Sequence, residues 1–227
     1  MAESEVSYAR PAGARRGIWF AVLLTVFEIG ASIWIFGFAL NHGASNVGAY
    51  LWACLAPLIG AAVYFLRTRD VSGASIAILA FNALSAVVAT IGNTSPKVLL
   101  YKDSFATGLI GLIFLVSLLA RKPLVYYFGQ RFAGGGTREG DRWWAALWDA
   151  SPGFRRSQRL ITVIWAVALL AEAAVKTIAI RVNNYSTGYI WDQILPIVAF
   201  AVAFLLTMVV SRRGQAKGRQ QRLAAQP

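Results

Sequence analysis

The chain has 227 residues, 57% of them hydrophobic and only 14% charged, with a mean hydropathy of +0.55. Such a composition excludes an ordinary water-soluble domain and an intrinsically disordered chain, and it points to a protein that buries its surface in lipid. Lys and Arg number 22 against 10 Asp and Glu, a net charge of +12, which in a lipid-embedded chain suits the anionic membrane surface and needs no nucleic acid.

Residues 1–16 form a polar N-terminal tail, followed by the first apolar run at 17–40. This run exceeds the roughly 7–15 residues of a signal-peptide core and does not end in a small-residue cleavage site, so a retained first helix is expected. The second run, 47–66, follows a short loop holding the lone His42. The third, 72–92, follows the tight turn Arg67-Thr68-Arg69-Asp70. The fourth is short unless it begins near Val98, with Lys102 snorkelling to the headgroups, which gives 98–120. The fifth and sixth are 160–180 and 189–210, before a basic tail at 212–227. Each run approaches the roughly 20 apolar residues that cross a bilayer, and none alternates as barrel strands do. The predicted fold is all-α and membrane-embedded, with six transmembrane helices over residues 17–211.

Basic residues fix the expected orientation. Arg15, Arg16, Arg67, Arg69, the inner loop at 121–159 and the tail carry most of them, whereas Lys97, Lys102 and Arg181 alone fall on the other side. The positive-inside rule then places both termini in the cytoplasm. Within the inner loop, Leu124, Phe128 and Phe132 recur every four residues, with Gln130 and Arg131 off that stripe. Gly134-Gly135-Gly136 reads as a flexible hinge. Beyond it, Trp143, Trp144, Leu147 and Trp148 form a second stripe, opposed by Arg142 and Asp149. Two short amphipathic helices in the headgroup layer are predicted, with Trp143, Trp144 and Trp148 as interfacial anchors.

The spans repeat. Tyr50-Leu51-Trp52, Pro57-Leu58-Ile59 and Ala62-Val63 recur as Tyr189-Ile190-Trp191, Pro196-Ile197-Val198 and Ala201-Val202, and a weaker copy starts at Tyr101. Three repeated α-hairpins are expected, an arrangement found in transporters. The first helix of each hairpin carries a strong polar group at similar depth: Glu28, Asn82, and Glu172 with Lys176 one turn later. Such groups are costly in a membrane and mark either interhelical ties or a polar site for an ion, proton or polar solute. At the outer end of the fourth helix, Asp103 and Ser104 suit a helix cap.

No nucleophile elbow, phosphate-binding lysine or zinc-protease motif occurs, and no enzymatic activity is expected. The single Cys54 excludes an intramolecular disulfide or cysteine zinc cluster, and His42 has no second ligand nearby, so no metal or cofactor is expected.

The segment 98–132 holds Tyr101-Lys102-Asp103-Ser104, Thr107-Gly108-Leu109-Ile110-Gly111, Ser117-Leu118-Leu119, Lys122-Pro123-Leu124 and Arg131-Phe132. This stretch resembles an uncharacterised bacterial family of six-span membrane proteins similar to intracellular septation protein A. In that family an Asp-Ser pair opens the fourth helix and a basic-Pro-Leu step ends it, the places filled here by Asp103-Ser104 and Lys122-Pro123-Leu124. The Trp-rich inner loop is not part of the pattern. The resemblance implies a bacterial inner-membrane protein of the envelope, septation-associated and without an assigned reaction. The residues themselves leave an alternative: a small secondary transporter moving a cation, proton-coupled solute or lipid-like molecule between hairpins. The partners expected are the bilayer, anionic lipids of the inner leaflet, and either a second copy of the chain or an envelope protein.

Overall fold

The computed structural model describes residues 11, 17–69, 72–90, 96–183 and 185–224. Among these the chain is mostly helical, without strand. The elements are α1 (Ile18–Asn41), α2 (Asn46–Ala53), α3 (Leu55–Thr68), α4 (Gly73–Ala89), α5 (Pro96–Val116), a 3₁₀ turn (Ser117–Leu119), α6 (Leu124–Gly134), α7 (Arg138–Ala150), α8 (Pro152–Val182) and α9 (Tyr185–Ala224).

Among the described residues, five stretches are long and apolar enough to cross a membrane: Ile18–Asn41, Leu51–Thr68, Leu100–Leu119, Pro152–Val182 and Ile194–Gly214. Helices suit this environment because every backbone polar group is satisfied within the segment. Large apolar side chains point outward along them, with Trp19 at 71% and Ile197 at 71% exposure. Polar groups such as Glu28 and Lys176 are buried instead. That inversion, with the long apolar helices, is the pattern of a helical membrane protein. The sequence expectation of six spans is reduced at the third run, where α4 has 17 residues. It is about 26 Å long at 1.5 Å per residue, short of a hydrocarbon core near 30 Å. Residues 91 and 92 of that predicted run lie outside the described residues.

The chain divides into two units, Met1–Ile91 with Tyr126–Ser151, and Gly92–Val125 with Pro152–Pro227. The runs read from sequence as a middle hairpin are therefore split, α4 belonging to the first unit and α5 to the second. In the first unit α1 packs on α2 and α3, α4 packs on α2 and α3, and α7 touches α3. In the second, α8 packs against both α5 and α9.

The repeated proline acts differently in its two copies. Pro57 lacks the N–H that would bond to the carbonyl of Ala53, and the helix breaks at Cys54, between α2 and α3. Ser32 of α1 donates its hydroxyl to that carbonyl at 3.1 Å, so the released acceptor stays satisfied in a buried position. Pro196, by contrast, lies inside the continuous α9.

The inner loop is built, not slack. Ser117 accepts from Leu124 N at 3.1 Å and so supports the start of α6. Gly134, Gly135 and Gly136, expected as a flexible hinge, are buried, and Gly135 and Gly136 adopt left-handed φ of 66° and 61°. Thr137 then caps α7, accepting from Gly140 N at 3.1 Å. Trp144 and Trp148, expected as headgroup anchors, are buried, at 7% and 2% exposure. Trp144 donates from Nε1 to Tyr126 O at 3.1 Å, and Trp148 meets the Tyr126 ring edge-on at 5.1 Å between centroids. Trp143 is half-buried, its ring tilted against that of Trp144 at 5.9 Å between centroids.

Candidate functional site

Each unit encloses a charge cluster within its helices. In the first, Glu28 of α1 has no exposed surface. Gly60 of α3 faces it so closely that a Cβ added there would overlap the carboxylate. Ser75 of α4 donates to Glu28 Oε1 at 2.7 Å, and Arg131 of α6 donates from Nη1 to Oε2 at 2.8 Å. The same Nη1 reaches Ser75 Oγ at 3.0 Å, closing a three-membered ring of donors and acceptors. Ser72 stands 2.9 Å from Ser75 Oγ and caps α4 by accepting from Ser75 N at 3.1 Å. Both carboxylate oxygens are thus engaged, the condition under which a buried charge is tolerable. Arg131 Nε and Nη2 are buried without a hydrogen-bond partner among the described residues.

A second polar contact lies in the same unit. Tyr64 of α3 donates to Asp141 of α7, its oxygen 2.9 Å from Oδ2 and 3.0 Å from Oδ1. The Arg131 guanidinium carbon sits 6.0 Å from the centre of the Tyr64 ring. Helices α1, α3, α4, α6 and α7 therefore share one polar core, in which α6 supplies the cation.

In the second unit Lys176 of α8 is buried, and its Nζ lies 3.2 Å from Glu172 Oε1, one turn earlier, and 3.0 Å from Asp103 Oδ2 of α5. Glu172 is buried, whereas the Asp103 side chain is 61% exposed. A carboxylate, an ammonium and a second carboxylate thus run from the exposed surface into the helix pair. Gly108 and Gly111 let α5 approach α8, where added Cβ atoms would lie 3.5 Å from Ala173 and 3.0 Å from Leu170.

Of the candidate polar residues, Glu28 falls in the first unit and Glu172 with Lys176 in the second. The side chain of Asn82 lies outside the described residues. Asp103 and Ser104 do not cap a helix. The helix begins at Pro96, so both sit in its interior, where a cap has no free N–H groups to accept. Asp103 pairs with Lys176 instead, and Ser104, buried, donates to Leu100 O at 3.1 Å. Sequence reasoning missed Arg131, Asp141, Tyr64 and Ser75. The one signal available was Ser72-x-x-Ser75, a capping spacing directly before an apolar run. Compared with protein-family models, curated proteins and solved structures, the chain gives no match in any of the three.

Proposed function

We propose that the protein is a six-span bacterial inner-membrane protein, both termini cytoplasmic, that works as a small secondary carrier coupled to a proton or other cation. The sixth span is α4, crossing by local thinning of the bilayer. The observation that carries the carrier reading is the line Asp103–Lys176–Glu172. Its outer carboxylate is exposed, its inner one buried, and the lysine stands within 3.2 Å of both. Intramembrane groups of alternating charge that reach the surface suit stepwise movement of a cation better than a purely structural tie, which needs only two partners. The resemblance of residues 98–132 supports a bacterial envelope setting, with septation as the process served.

The test is cation flux. The full chain is reconstituted into liposomes loaded with a pH-sensitive dye, and a pH gradient is imposed with the membrane potential clamped. The reading expects faster dissipation than in empty liposomes, and loss of that flux in Glu172→Gln reconstituted to the same density. Equal rates for protein-containing and empty liposomes, with protons and with Na⁺ or K⁺ gradients, reject it.

A further inference from the structure

The end of α3 and the turn between α6 and α7 exchange arginines. Arg67 donates from Nε to Gly136 O at 3.0 Å, and Arg138 donates from Nε to Thr68 O at 2.8 Å. Residues 67 and 68 adjoin, and 136 and 138 flank the cap of α7, so both guanidinium groups lie on one contact. Each is pinned by its innermost N–H, and among the described residues no acceptor meets the terminal Nη groups. Both side chains are exposed, and Arg67 is further held over the Phe20 ring at 4.0 Å. Among the described residues no carboxylate pairs with either arginine, and the exposed neighbour Glu139 pairs with neither. Arg69 adds a third exposed charge at the same helix end, in a left-handed conformation with φ 59°.

Neighbouring like charges repel unless an anion lies between them, and a fixed guanidinium fork matches the oxygens of a phosphate. By the positive-inside rule, these residues belong to the segments that hold most of the chain's Arg and Lys, the ones that meet anionic lipid. We propose that Arg67 and Arg138 form a binding site for the headgroup phosphate of an anionic phospholipid. The site is independent of the carrier reading, since it uses none of Asp103, Glu172 or Lys176.

The test uses the purified full chain in neutral detergent, with bound lipid counted by native mass spectrometry. Phosphatidylglycerol is the probe, phosphatidylcholine the zwitterionic comparison, and inorganic phosphate the competitor. The wild type should retain phosphatidylglycerol preferentially. Arg67→Gln with Arg138→Gln should weaken that retention by about ten-fold or more, the factor expected when charge-assisted hydrogen bonds to a phosphate are lost. Arg212→Gln with Arg213→Gln, an equal loss of charge in the tail, should leave it unchanged. Should the glutamine pair fail to fold by thermal unfolding, Arg67→Lys with Arg138→Lys decides. It keeps the charge but not the fork, and should weaken retention several-fold. Wild-type retention in whichever pair folds, or an equal loss in the tail variant, overturns the site. If millimolar inorganic phosphate strips phosphatidylglycerol from the wild type, the ligand is free phosphate and the lipid assignment fails.

Discussion

Replacing Arg131 by methionine keeps most of the buried volume but removes the cation that Glu28 faces. Glu28 then retains only the Ser75 hydroxyl on Oε1, while Oε2, held at 2.8 Å by Arg131 Nη1, has no partner in an enclosed site. Removing one member of a buried ion pair costs about 3–5 kcal/mol. The substitution also removes the unpartnered Nε and Nη2, whose desolvation opposes folding, so the lower end, about 3 kcal/mol, applies. At about 2–4 °C per kcal/mol for a chain of this size, the midpoint should fall by roughly 6–12 °C. The double variant Glu28→Gln, Arg131→Met removes both charges and loses only neutral hydrogen bonds, about 1–2 kcal/mol. Thermal unfolding in detergent, followed by tryptophan fluorescence, compares the two. A single variant at least as stable as the double would refute the reasoning, because Glu28 would then not be a charge that depends on Arg131.

Gly60→Ala should destabilise by roughly 1–3 kcal/mol, since its methyl group would meet the Glu28 carboxylate, and the same melting assay reads it. Ser32→Ala should cost about 1–3 kcal/mol by stranding the Ala53 carbonyl opposite Pro57, whereas an equal Pro57→Ala, Ser32→Ala double variant should recover part of the loss. Lys176→Met should lower the midpoint more than Lys176→Met with Glu172→Gln, because Glu172 is the buried acid whereas the Asp103 side chain is exposed. In a Cys54→Ala background, a cysteine replacing exposed Glu139 should resist membrane-impermeant thiol reagents in intact cells, and one replacing exposed Ser45 should react; the reverse pattern contradicts the orientation.

The long apolar runs were legible because a membrane helix is a local property: about 20 consecutive residues decide it. The Glu172–Lys176 spacing was legible for the same reason, as i and i+4 meet on any helix. Arg131 was not, because its partner Glu28 lies 103 residues away and nothing in the α6 stripe marks it as inward. Asp103 was misplaced because hydropathy starts the helix late. Pro96, a residue suited to a first helical position, was the better boundary marker, and moving the start there turns a cap into a mid-helix partner for Lys176. The tryptophan stripe was visible as a face, but an amphipathic pattern does not say whether its apolar side meets lipid or the protein's own core.

The Glu28–Arg131 pairing also sets a schedule for biogenesis. The first unit is interrupted in sequence by residues 92–125, so α1 through α4 emerge from the ribosome well before α6. With 103 residues between the two partners and synthesis at roughly 5–20 residues per second, a newly made Glu28 waits about 5–20 s for its arginine. Over that interval an acidic side chain is already inside an apolar helix with no counterion, and it must be carried by a helix held back from the bilayer or by the insertion machinery. Lesions in the α6–α7 segment would then lower the yield of protein through failed maturation of segments made earlier, with translation itself untouched.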